Sequence, residues 1–154
     1  MNNKSLKTSA IMFILWGILH LYAGLGLAIP YWSSGAGSMW AMFGYNPEKI
    51  SGLLEVASHV ALNFGIDLAG YGLLAIILAI FIFKNRYVKY SFWILVVMLG
   101  IADLAFVYAL LIPGYLVSIV AVIASWSGPI LYILGVAFGL VAFYSGKKSQ
   151  RPKE

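Results

Sequence analysis

Glu55, His59, Asn63, Asp67 and Tyr71 recur every fourth residue, with Val, Ala, Leu, Phe and Ile between them. On an α-helix this spacing makes one slowly drifting polar stripe. Carboxyls beside imidazoles exchange protons, and amides and phenols orient what the charged groups hold. Two more ionisable residues stand inside other apolar runs, His20 in the first and Asp103 in the third, while Trp126 lies between Ser125 and Ser127 in the fourth. His20 with Asp67 or Asp103 has the makings of a base and its orienting partner, or of an acid/base pair acting on a lipid-soluble substrate such as a sterol, quinone or isoprenoid. Trp126 and Tyr71 would line such a pocket or stabilise developing positive charge.

Each of these residues also has a plainer explanation. A hydrogen-bonded cluster can fix helix register in a membrane and do nothing else. A tryptophan in mid-span is commonly packing, and Glu55 and His59 suit a solvated position among lipid headgroups. Asn63 discriminates best along the stripe, being too deep for easy solvation and of no benefit to a helix.

The elements that must position these groups follow from composition. Of 154 residues 62% are hydrophobic and 10% charged, with a mean hydropathy of +0.93. A soluble domain has nowhere to put so much apolar surface. Four apolar runs, 9–29, 59–83, 91–112 and 116–144, are each long enough to cross a hydrocarbon layer of about 30 Å. The expected fold is an all-α integral membrane protein, an antiparallel four-helix transmembrane bundle forming a single membrane domain.

Charge placement sets its orientation. Lys4 and Lys7 precede the first run, Lys84, Arg86 and Lys89 join the second to the third, and Lys147, Lys148, Arg151 and Lys153 follow the fourth. Lys49 alone lies elsewhere. The positive-inside rule therefore places both termini in the cytoplasm and the protein in the cell (cytoplasmic) membrane as a multi-pass chain. The net charge of +5 then reads as orientation signals with affinity for anionic lipid, which argues against a nucleic-acid partner. Cysteine is absent, which removes thiolate nucleophiles, Cys-ligated zinc and iron–sulfur clusters. The basic start and the apolar run ending at Ala28 resemble a signal peptide, but the run is too long for a signal core and carries His20, so it reads as an uncleaved first span.

Several boundaries are marked. The first span should end at Pro30, with Tyr31 and Trp32 as interface anchors. Residues 30–56 should form an outer loop or interfacial segment, lying on the outer membrane surface or folding over the bundle as a lid, with a break near Gly52 or a protruding first section of the second helix. The third span should stop at Pro113-Gly114, and Pro129 should kink the fourth and free the carbonyl of Ser125. Gly135 and Gly139, with Gly128 and Tyr132, give a small-residue face for close packing, within the chain or against a second copy or larger membrane complex.

Counting from the outer ends of the runs, His20, Asp67 and Asp103 each fall roughly 12–14 Å deep. Ser125, Trp126 and Ser127 fall at the same level, so four helices should bring their most polar residues to one layer. His59 and Glu55 would form the pocket entrance, and the span below Asp67 carries no ionisable group. A bis-His haem is disfavoured, because His59 stands about 12 Å above His20 and axial ligands must flank one iron. A metal on His20, Asp67 and Asp103 matches in depth but has no local ligand motif, and no cofactor is assigned. The sequence thus points to a polar pocket opening outward that binds or moves a proton or small ligand. His20, Asn63, Asp67, Tyr71, Asp103 and Trp126 would form the site. The intramembrane enzyme and an accessory subunit of a membrane complex are the alternatives.

Overall fold

The computed structural model describes residues 3–35, 38, 54–112 and 119–148. Its helices are α1 (Asn3–Ser34), α2 (Leu54–Phe83), α3 (Val88–Phe106) and α4 (Ile119–Lys148). All four are long and apolar enough to cross a membrane. The expected break near Gly52, the Pro113-Gly114 stop and most of the outer segment lie outside the described residues.

Helix α1 runs through Pro30 and ends one turn later. Proline removes a single N–H near a helix end, which the helix survives. What stops it is Gly35, at φ 81° in the left-handed region, whose N–H reaches back 2.9 Å to the Tyr31 carbonyl. This is the αL termination that glycine makes without strain. Beyond it the Ser38 hydroxyl donates to the Pro30 carbonyl at 2.7 Å. The α3 helix also ends in a way the sequence did not announce, widening into a π-helical turn at Val107–Leu111 that the Ile112 N–H closes on the Val107 carbonyl at 2.9 Å.

Contacts between helices fix the topology. Lys7 lies over the Phe83 ring, Gly17 against Gly72, Gly24 against Gly65, and Tyr31 against His59. These pairs run in opposite order along α1 and α2, so the two helices are antiparallel. Likewise Ser9 meets Gly135 and His20 meets Gly128, which makes α1 and α4 antiparallel. Phe92 against Gly139 and Gly100 against Tyr132 do the same for α3 and α4. The bundle is up-down-up-down. The start of α1, the 84–87 turn and the end of α4 share one end of it, and Lys4, Lys7, Lys84, Arg86 and Lys89 gather there.

Close approach holds the bundle together. A methyl on Gly17 would stand 2.6 Å from the Gly72 carbonyl oxygen, and one on Gly72 would stand 2.6 Å from the Gly17 carbonyl oxygen. Two turns further along α1, Gly24 lies as tightly on Gly65 and Ala69. Between apolar helices in lipid, this backbone proximity supplies the van der Waals contact that the hydrophobic effect cannot. Leu6, Ala10, Phe13 and Trp16 of α1, Ala75, Ala79 and Ile82 of α2, Phe92, Leu95 and Leu99 of α3, and Ala142 of α4 form the core. Gly135 lies against Phe13 and Gly139 against Phe92, so of the two uses open to this small-residue face these glycines serve packing within the chain.

Candidate functional site

Trp16 and His20 stand one turn apart on α1, so their side chains share a face and their rings stack, centroids 3.5 Å apart and planes 15° from parallel. Asp103 comes across the bundle from α3 and is only 5% exposed. Its Oδ2 accepts the Trp16 indole N–H at 3.0 Å. The other oxygen, Oδ1, lies 3.8 Å from His20 Nε2 and has no hydrogen-bond partner among the described residues. Close by, Gly128 of α4 leaves the space His20 occupies: a methyl there would stand 2.8 Å from His20 Cε1 and 3.6 Å from Asp103 Oδ1. Tyr132, a turn further along α4, donates to the Val96 carbonyl at 2.8 Å and rests on Gly100. Three helices therefore meet at one buried carboxyl.

The hydrogen bonds constrain where protons sit. His20 Nδ1 lies 2.8 Å from the Trp16 backbone carbonyl, which can only accept, so Nδ1 carries a hydrogen. In a neutral imidazole Nε2 then presents its lone pair, and it presents it toward Asp103 Oδ1. Lone pair faces lone pair until one proton enters, on either atom. The 3.8 Å separation is about 1 Å longer than the hydrogen bond such a proton would make. Trp16 holds both partners in place, through its indole N–H on Asp103 and its backbone carbonyl on His20.

The remaining expected residues lie elsewhere. Asp67 is exposed, and its Oδ2 accepts from the amide of Asn63, also exposed, at 3.3 Å. Tyr71 and Trp126 are 38% and 45% exposed. His59 pairs with the Tyr31 hydroxyl at 3.0 Å near the end of the bundle opposite the basic one, and the Glu55 side chain lies outside the described residues. The polar stripe of α2 thus runs along an exposed face and not into the bundle. The register of α1 on α2 sets residue 20 level with about residue 69, which leaves Asp67 within ~3 Å of His20 in height along the bundle. Asp67 nonetheless turns away from α1, for it lies two residues, about 200° around the helix, from Gly65, which packs on α1. Among the described residues, no three His, Asp or Glu side chains come together as a metal-ligand set.

Trp16 is the participant that sequence reasoning passed over. It shares the His20 face, and a carboxyl buried among membrane helices needs a donor. Those two facts together would have nominated its indole.

Comparison with known proteins finds no matching family model, no matching curated protein and no matching solved structure.

Proposed function

We propose that this small membrane protein binds or moves a proton, or a small ligand that brings one, at the Trp16–His20–Asp103 cluster. The observation that carries the reading is the facing pair of Asp103 Oδ1 and His20 Nε2, 3.8 Å apart in the bundle interior, one atom unbonded and the other fixed as an acceptor by the Trp16 carbonyl. An ionisable residue in a membrane interior ordinarily has a completed partner. Here the partnership is left one proton short, and arrival of that proton draws α1 and α3 together. Gly128 and the adjoining Pro129 lie on the third side, with Gly128 close against the His20 ring. Tight packing at Gly128 suits a proton or a small polar molecule better than the lipid-sized chamber an enzyme would need.

The test reads His20 directly. In protein reconstituted in bilayers, ¹⁵N resonances of the His20 ring should show Nδ1 protonated throughout and Nε2 titrating. In Asp103→Asn that titration should shift, and pH-driven uptake into vesicles should fall to the background of empty vesicles. An imidazole that titrates identically in both forms, with unchanged uptake, rejects the proposal.

A further inference from the structure

Asn63 and Asp67 make a polar pair on the surface of α2 that faces away from α1, and both side chains are exposed. Asp67 is ten residues from the outer end of the apolar stretch Ala57–Phe83 and sixteen from the inner end, so it stands well inside the hydrocarbon. A carboxyl there is costly against lipid tails, and among the described residues of its own chain its one hydrogen bond is from Asn63. Gly70 lies beside it with nothing within 4 Å of its position, which leaves room for a second helix to come close.

The chain itself carries a complement. Trp126 on α4 is exposed, with its indole N–H the only polar function of that side chain. It is two residues before Gly128, which touches His20, so it too stands within ~3 Å of the His20 level. It lies about 200° around α4 from Gly128 and so points outward, as Asp67 does on α2. One exposed acceptor and one exposed donor therefore sit at the same height on two different helices. Within the protomer the same two groups already pair, the Trp16 indole donating to Asp103 at 3.0 Å.

We propose that copies of this chain associate head to tail, the Asn63–Asp67–Gly70 face of α2 on one copy receiving the Trp126 indole N–H from α4 of the next. A two-fold contact through α2 would set Asp67 against Asp67, like against like. The head-to-tail contact sets acceptor against donor, and with α2 and α4 parallel it carries on from Asp67–Trp126 to Gly70–Ile130. Such a contact repeats around a ring if its rotation closes.

The absence of native cysteine makes the geometry directly testable. Full-length Gly70→Cys and Ile130→Cys proteins, mixed and reconstituted together in phosphatidylcholine vesicles, should give mixed disulfides in at least tenfold excess over either self-pair. Trp126→Phe, which keeps an aromatic ring and removes the N–H, and Asp67→Leu, whose native side chain is hydrogen-bonded to Asn63 among the described residues, should each shift single-molecule photobleaching counts from several copies toward one. Circular dichroism should stay unchanged in both. Self-pairs of Gly70→Cys in excess would overturn the proposal in favour of a two-fold contact. A wild-type chain that counts as one copy, or a Trp126→Phe protein that associates like wild type, would overturn it outright.

Discussion

At the scale of single residues the structure depends on how one carboxyl is satisfied. Asp103 has its Oδ2 bonded by Trp16 and its Oδ1 left facing His20, so removing the indole donor strands a buried acceptor, while removing both partners strands nothing. Trp16→Phe should therefore lower unfolding stability in detergent by about 1–3 kcal/mol, and adding Asp103→Leu should recover much of that loss. Equal losses from the single and double variants would show the bond contributes nothing. A second readout follows from the stacked rings, because an imidazolium quenches an indole lying on it. In a protein keeping Trp16 as its sole tryptophan, acidification should quench fluorescence, and Asp103→Asn should displace the quench; a flat profile in both would mean His20 does not titrate. His20 and Asp103 were legible in the sequence, since counting residues from apolar ends fixes height. The facing of Asp67 was not. A stripe of period four drifts about 40° per step, so five members spread over about 160° and cannot all face one neighbour. Gly65 and Gly72, seven residues apart, packed on α1 and so decided which way Asp67 turned.

At the scale of elements, contact between α1 and α2 rests on glycines that tolerate no added atom. A methyl at Gly24 would run into the backbone at Gly65 and Ala69, and only movement of a whole helix relieves that clash. Gly24→Ala should destabilise the protein by about 1–3 kcal/mol, measured by unfolding in detergent. Gly70→Ala, with open space at its position, should instead gain up to about 1 kcal/mol in the same dispersed protein, from helix propensity alone. Comparable losses at both sites would mean that propensity and not interhelical contact governs the difference. The existence of each helix was plain from long apolar runs, but its ends were less so. Proline looked like the stop for α1, yet one missing donor is tolerable near a terminus. The stop came from Gly35, five residues on, whose left-handed backbone has no hydropathic signature. The π turn at Val107–Leu111 was likewise invisible, because a register change of one residue alters no side-chain pattern.

At the scale of the whole molecule, the up-down-up-down order places Lys4, Lys7, Lys84, Arg86 and Lys89 at one end, with α4 ending at Lys148 beside them. The bundle alone is indifferent to which side of the membrane that end occupies; insertion is not. Basic residues in short segments near helix ends are held on the cytoplasmic side, and here three separate segments agree. Agreement matters because a single biased loop can be overridden by a later one, while a chain with every inner segment basic has no competing orientation. Asn85→Cys, in the exposed turn between α2 and α3, should then react with a membrane-impermeant maleimide only after the inner face is opened. Ser34→Cys, exposed at the far end of α1, should react in intact cells. The reverse pattern would put the basic end outside. Labelling of both sites in intact cells would mean two orientations coexist, and the Asp67 and Trp126 faces of neighbouring copies would then no longer share one direction through the membrane.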